Sequence, residues 1–357
     1  MCDTQDTLIA PQERERMLDW LTAASPILLI ALLYYRWQAA GLMLLAAAGY
    51  AAVSVLLQWA GLARCTGTAA VTTGVWTALL LPAAPLWVAG VAGAVAGLAA
   101  VLPAVAERWI PRFPLRLPPA LMGCLVVWLA FPAYVRAYTW PAQWAPLAAE
   151  PVTTPLLPLL TPEAYPRLHV LLGIREGAIG EGCIPVVLMA AVYLLIRRRL
   201  RLIAPGAMLS TVALLSWIIW GAPLRGVLVG ATVLAALLLS DREYAPAAYG
   251  PQAVAGVLAG GLAVLLRAVM GQDGCAAGVL IACLLSPLYP AFLQLCRRGA
   301  VWLWGVICRY VPLAAAWLWG VVCRYVPPAA AWVWAQMRRL YALAVAFVRE
   351  KICKKQK

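Results

Sequence analysis

The sequence predicts an all-α integral membrane protein. It should hold about ten transmembrane helices in a five-plus-five arrangement, followed by interfacial helices at the C-terminal end. Three observations lead there. Of 357 residues, 64% are hydrophobic and 12% charged, and the mean hydropathy is +0.85. A soluble domain carries about 25% charged residues, so a soluble globular enzyme and a disordered chain are both excluded. Apolar stretches near the roughly 20 residues of a bilayer core recur along the chain. A Pro-rich segment, 138–178, then separates the first five stretches from the last five.

The candidate spans are roughly 22–36, 40–60, 68–82, 84–105, 118–137, 179–196, 202–220, 223–240, 251–270 and 275–295. The third is short, which predicts a broken or half-buried helix. Pro82, Pro85, Pro114, Pro118 and Pro119 stand at the boundaries, where helices start or stop. The organisation expected is therefore an N-terminal segment over 1–20, a first half over 21–137 and an extracytoplasmic loop over 138–178. A second half covers 179–296, and a basic, Trp-rich tail covers 297–357. The polar start, MCDTQDTLIAPQERERMLDW, lacks the early apolar run of a signal peptide.

Charge adds orientation. There are 28 Lys+Arg against 14 Asp+Glu. A nucleic-acid binder would gather such a surplus in polar stripes, whereas here the arginines punctuate apolar runs, so no nucleic-acid partner is expected. Arg64, Arg108, Arg112, Arg116, Arg197, Arg198, Arg199, Arg201 and Arg242 fall in loops on one side. Arg36, Arg136, Arg167, Arg175, Arg225 and Arg267 fall on the other, spread over more chain. The positive-inside bias places both termini in the cytoplasm and the 138–178 loop outside.

The tail reads differently. AVWLWGVICRYVP returns as AWLWGVVCRYVP fifteen residues later, and AWVWAQMRRL opens a third copy. Arg309 and Arg324 cut the apolar runs to lengths too short to span, and Pro312, Pro327 and Pro328 interrupt them. Trp302, Trp304, Trp317, Trp319, Trp332 and Trp334 suit a bilayer interface. The final REKICKKQK suits anionic lipid head groups.

Few residues offer chemistry. The ten cysteines form no Cys-x-x-Cys pair and lie mostly in apolar runs, and His169 is the single histidine. No metal site is expected, nor a nucleophile–base constellation. What stands out is a succession of segments. TGTAAVTTGVWTALLLPAAPLWVAG (66–90), LRLPPALMG (115–123), FPAYVRAYTW (131–140) and EPVTTPLLPLL (150–160) come first. GIREGAIGEGCIPVVLMAAVYLLIRRR (173–199), GVLVGATVLAALLLSDREYAP (226–246) and GVLAGGLAVLLRAVMGQDGCAAGVLIACLLSPLYP (256–290) follow. This order resembles the RnfD/NqrB family. Its members are the D subunit of the Rnf ion-translocating electron transport complex and the B subunit of the sodium-pumping NADH:quinone reductase. The likeness covers about residues 20–295.

The resemblance implies a ten-helix subunit of a bacterial inner-membrane complex, passing electrons through flavins in exergonic steps coupled to Na⁺ or H⁺ transport. Its partners would be the other subunits of that complex and membrane lipid. It implies FMN held through a phosphoester to a Thr in the outward loop. Val152-Thr153-Thr154-Pro155-Leu156 matches that motif at its Thr-Pro-Leu end, which places the covalent FMN on Thr154. It also implies a non-covalent riboflavin, with Thr72, Gly74, Trp140, Gly180 and Glu181 on the matched motifs. Structural roles suit the same residues: small residues for close helix packing, Glu181 for a helix N-terminus, Trp140 for the interface. Several polar family positions are changed. Leu115-Arg116-Leu117-Pro118-Pro119-Ala120 lacks two Asn, and Asp241 survives without its Pro. A non-redox structural subunit of the same complex, and a small-solute channel or transporter, therefore stay open as alternatives.

Overall fold

The computed structural model describes residues 3–61, 67–109, 116–135, 137–139, 153–155, 171–172, 177–229, 231–270, 274–296, 337–339 and 342. A helix satisfies its own backbone, which is what an apolar solvent demands, and helices dominate. The first half holds α1 (Asp3–Tyr35), α2 (Trp37–Trp59), α3 (Gly67–Leu80), α4 (Leu86–Trp109), α5 (Pro119–Ala130) and α6 (Pro132–Val135). The second holds α7 (Ile184–Ile196), α8 (Ile203–Trp220), α9 (Pro223–Leu228), α10 (Thr232–Leu239), α11 (Tyr249–Met270) and α12 (Cys275–Leu285). Each of the ten expected stretches contains a helix.

Among the described residues, six helical stretches are long and apolar enough to cross a membrane. They are Gln12–Tyr35, Trp37–Trp59, Leu86–Pro103, Ile203–Trp220, Tyr249–Val269 and Cys275–Cys296. Gly67–Leu80, Pro119–Ala130 and Ile184–Ile196 are apolar but shorter. Leu44, Leu56, Met189, Ile196, Ile218 and Val269 are all exposed on these helices. Apolar faces turned outward on this scale belong to a body whose solvent is lipid. This is a multi-pass membrane protein.

Local sequence explains most ends. Pro119, Pro185 and Pro223 occupy the first turns of α5, α7 and α9, where the missing N–H is harmless. Gly221 closes α8 in the left-handed conformation at φ +67°. Three expectations need correction in detail. The 118–137 stretch divides at Phe131 into α5 and α6. The 223–240 stretch is two helices, α9 and α10, with extended backbone at Val229 between them. The 179–196 stretch opens with a 3₁₀ turn, Ile179–Glu181, before α7. Among the described residues one antiparallel ribbon interrupts the helical frame, β1 (Ala137–Thr139) with β2 (Thr153–Pro155). The α1 helix passes residue 20 without a break.

The two halves repeat one packing scheme. The second helix crosses the fourth in each: α2 on α4, and α8 on α11. The fourth also packs on the fifth, α4 on α5 and α11 on α12. The fourth helices carry Gly-x-x-x-Gly at Gly93/Gly97 and Gly256/Gly260. A Cβ on Gly93 would stand 1.9 Å from the Ala46 carbonyl oxygen, and one on Gly256 2.2 Å from that of Ala204. Only glycine admits backbones this close, and the contact is van der Waals packing of the kind that holds membrane helices together. The halves meet through α1 against α7 and α5 against α12.

The chain divides into two units, Met1–Pro290 and Ala291–Lys357. In the second, residues 291–296 and 337–339 are helical. Of the expected interfacial helices only 337–339 and 342 are described, as helix, and the tail's tryptophans lie outside the described residues.

Candidate functional site

The short third helix and the α10 part of the broken α9–α10 segment both reach the Ile179–Glu181 turn. The α3 helix stops at Leu80, ahead of Pro82, and the Leu81 carbonyl accepts the Ile179 N–H at 3.0 Å. The 3₁₀ turn is thereby fastened to the end of α3. A Cβ on Gly180 would meet the Leu79 carbonyl oxygen at 2.9 Å and Leu234 Cδ1 at 2.8 Å. Glu181 is 1% exposed, and the Val233 N–H donates to its Oε1 at 3.4 Å. Its carboxylate sits at the N-terminus of α10, where a negative charge is favoured. A capping role was anticipated for Glu181, but the helix it serves begins some fifty residues further on.

The α9–α10 break is held by Arg267 on α11. Its side chain is 0% exposed. Nη1 donates to the Gly226 carbonyl at 2.7 Å. Nη2 donates to the Val229 carbonyl at 3.0 Å, to Thr232 Oγ1 at 2.5 Å and to Cys275 Sγ at 3.0 Å. An interrupted helix leaves carbonyls without partners, and one guanidinium fork replaces them. Arg225 is also buried, at 8% exposed. Neither arginine is a loop residue, so the loop assignment made from sequence is corrected for both. A charge in an apolar run was the available signal, since a membrane interior tolerates one only with a partner.

Thr72 and Gly74 lie on α3. The Thr72 hydroxyl donates to the Met17 carbonyl at 3.1 Å. A Cβ on Gly74 would fall 2.4 Å from Ala47 Cα, so this glycine lets α3 pack on α2. Thr72 lines a cavity of about 40 Å³ with Arg16, Trp20, Thr73, Trp76 and Asp241. Trp20 and Trp76 stand edge to face, their centroids 5.3 Å apart. Thr72 and Gly180 touch opposite stretches of α3, because Leu79 lies two turns beyond Thr72. Among the described candidates, Thr72 lines this cavity, and Gly74, Gly180 and Glu181 do not. The cavity has room for a few waters and none for a three-ring flavin, while Gly74, Gly180 and Glu181 are committed to the chain's own backbone. Trp140 lies outside the described residues.

Past α6 the chain enters β1, whose Tyr138 pairs with Thr154 of β2. The backbone of Thr154 is thus held beside the exit of the first half. On α1, the Tyr34 hydroxyl donates to the Leu172 carbonyl at 2.9 Å, which ties the far end of the same segment to the body.

Beyond α7 and α10 lies a charged rim built from arginines that the sequence offers as loop residues, together with Asp19, Asp241 and Glu243. Asp19 accepts from Arg197 Nε at 2.9 Å and Arg199 Nε at 2.7 Å. The Asp19 hydrogen bond and charge hold the Arg197 pKa above its ordinary value. Burial pushes the Asp241 carboxyl from 3.8 up to about 6, against the pull of Arg16, Arg199 and Arg201. Arg16 forms an ion pair with Glu243. Among the described residues no group of three or more His, Cys, Asp or Glu could hold a metal ion.

Residues 116–296 match the model of the NQR2, RnfD, RnfE family. The chain belongs to that family. The match takes in just over half of the chain, from the approach to α5 to the end of the helical stretch that begins with α12. Thr154, Gly180, Glu181, Arg225, Asp241 and Arg267 fall inside it, and Thr72 and Gly74 precede it. No curated protein matches the chain. Membership and the apolar helices together make this an NQR2/RnfD/RnfE-type membrane subunit.

Proposed function

We propose that the chain is the flavin-bearing membrane subunit of an Rnf-type ion-translocating electron transport complex. In this reading ten segments cross a bacterial inner membrane with both termini cytoplasmic. The shorter α3, α5 and α7 and the broken α9–α10 are the discontinuous members that transporter-like folds place at their centre. The observation that carries the reading is family membership over a region that contains Thr154.

The protein's part in such a system is position. FMN attached to Thr154 through a phosphoester supplies one- and two-electron redox chemistry. Pairing of Thr154 with Tyr138 would keep the tethered group near the exit of α6. The partner subunits would carry electrons to and from it, coupled to Na⁺ or H⁺ movement.

Denatured full-length protein viewed in a gel under ultraviolet light tests the assignment. Flavin fluorescence retained by Thr153→Ala and abolished by Thr154→Ala is expected. A wild-type band without fluorescence, after expression alongside a flavin-transferring enzyme, overturns it. One observation favours a second reading, a structural subunit without redox work: Gly74, Gly180 and Glu181 are all spent on helix packing and capping. Assembly of the complex that survives Thr154→Ala with electron transfer unchanged would favour that reading.

A further inference from the structure

At one end of the body, α5 begins, α7 turns into α8 and α10 ends. Leu200 and Asp241 form an isolated antiparallel bridge there. The Arg201 N–H donates to the Ser240 carbonyl at 2.7 Å, and the Arg242 N–H to the Arg199 carbonyl at 3.2 Å. Arg116, just ahead of α5, donates from Nη1 to the Glu243 carbonyl at 3.5 Å. Three separate chain segments thus bring Arg116, Arg201 and Arg242 together.

The nearby acids are already used. Asp19 is held by Arg197 and Arg199, and Glu243 pairs with Arg16. Asp241 is 5% exposed, and its Oδ1 accepts the Glu243 N–H at 3.2 Å. Among the described residues no carboxylate pairs with Arg116, Arg201 or Arg242 in a salt bridge. Burial, then repulsion from Arg242 and Arg116, lowers the Arg201 pKa against the pull of Asp241. Three guanidiniums thus face one buried carboxylate, Asp241, and two of them donate to neutral carbonyls, Arg116 to Glu243 and Arg201 to Ala245, so the cluster keeps a net positive charge.

The same turn is apolar on its outside. Ile196 is 74% exposed and Leu202 54% exposed, flanking the Arg197–Arg201 run. Guanidinium forks match phosphate oxygens two at a time. Basic clusters at the ends of membrane helices take acidic head groups. We propose that Arg116, Arg201 and Arg242 bind the phosphate of an anionic membrane phospholipid, with its acyl chains along Ile196 and Leu202. Inorganic phosphate shares the head-group chemistry but gains nothing from the apolar flank.

The test uses the delipidated full-length protein in neutral detergent. Phosphatidylglycerol, phosphatidylcholine and inorganic phosphate are titrated separately, and bound lipid is counted by native mass spectrometry alongside the thermal midpoint. Wild-type protein should retain phosphatidylglycerol over phosphatidylcholine, with a rise in midpoint that phosphate does not reproduce. The triple variant Arg116→Gln/Arg201→Gln/Arg242→Gln should lose about a hundredfold in apparent affinity for phosphatidylglycerol. Should that variant fail to fold, Arg242→Gln alone, on an exposed side chain, should lose about fivefold. Equal retention of the two lipids, the same midpoint rise with phosphate, or unchanged affinity in Arg242→Gln overturns the proposal. Flavin content plays no part in the readout, so the result is independent of Thr154.

Discussion

The two halves solve one packing problem with different chemistry at their third members. In the first half α3 is a single helix, and Gly74 seats it directly on the α2 backbone at Ala47. In the second half the matching segment is cut into α9 and α10, and the cut is filled by a charged side chain from α11. Close apolar contact holds α3 on α2 by dispersion. The second depends on satisfying polar groups that lipid would leave bare. A membrane helix tolerates interruption where a neighbour carries the donors that its backbone has lost.

Removing those donors should have the largest effect. Arg267→Ala strips the Gly226 carbonyl of its guanidinium donor and leaves the Val229 carbonyl with the Thr232 hydroxyl alone, and should cost about 3 kcal/mol. Arg267→Lys keeps the charge without the fork and should recover only part. Thermal unfolding in detergent measures both, and a wild-type midpoint for Arg267→Ala would break the contrast between the halves.

The rim sharpens the same contrast through charge. Asp19, on α1, has two guanidinium partners, whereas Asp241, after α10, is raised to about 6 by burial. Its folded pKa exceeds the unfolded value near 4, so the folded state binds the proton more tightly. Stability should therefore increase as pH falls from about 7 through 6 towards 4, by up to about 3 kcal/mol. Asp241→Asn should flatten that dependence, as followed by thermal midpoints between pH 5 and 8.

A matched pair tests the scheme that the halves share. Gly93→Ala and Gly256→Ala each press a methyl group against a carbonyl of the crossing helix. Each should cost about 1–3 kcal/mol, and a large effect in one with none in the other would show that the crossings are not equivalent. Glu181→Gln should have the smallest effect, about 0.5–1 kcal/mol, because the amide still accepts the Val233 N–H while the charge at the α10 N-terminus is lost.

The places of the helices were legible because apolar composition reports the solvent directly. Pro82 and Pro118 marked ends that the backbone respects, and the shortness of α3 could be read from TAAVTTGVWTALLLP. The α9–α10 break was not legible. Gly226 and Gly230 occur in a run that is apolar throughout, and nothing local shows that Arg267 will supply the missing donors. The candidate site divides in the same way. Thr154 stood out from its motif, yet its pairing with Tyr138 joins residues some fifteen positions apart. Glu181 was readable as a cap, but its helix was not readable from its neighbours.

By itself the sequence determined that this chain would live in lipid, that it would be built of helices in two halves, and that its family could be named from the order of its segments. Hydrophobicity and helix length are local sums, which a linear chain carries openly. Only the tertiary structure decided what each polar residue serves. It placed Gly74 and Gly180 as packing spacers, Arg267 as the closure of a broken helix, and Arg116, Arg201 and Arg242 as one crowded patch. Those roles depend on which distant backbone comes within hydrogen-bond reach, a property of the folded chain that no single segment contains.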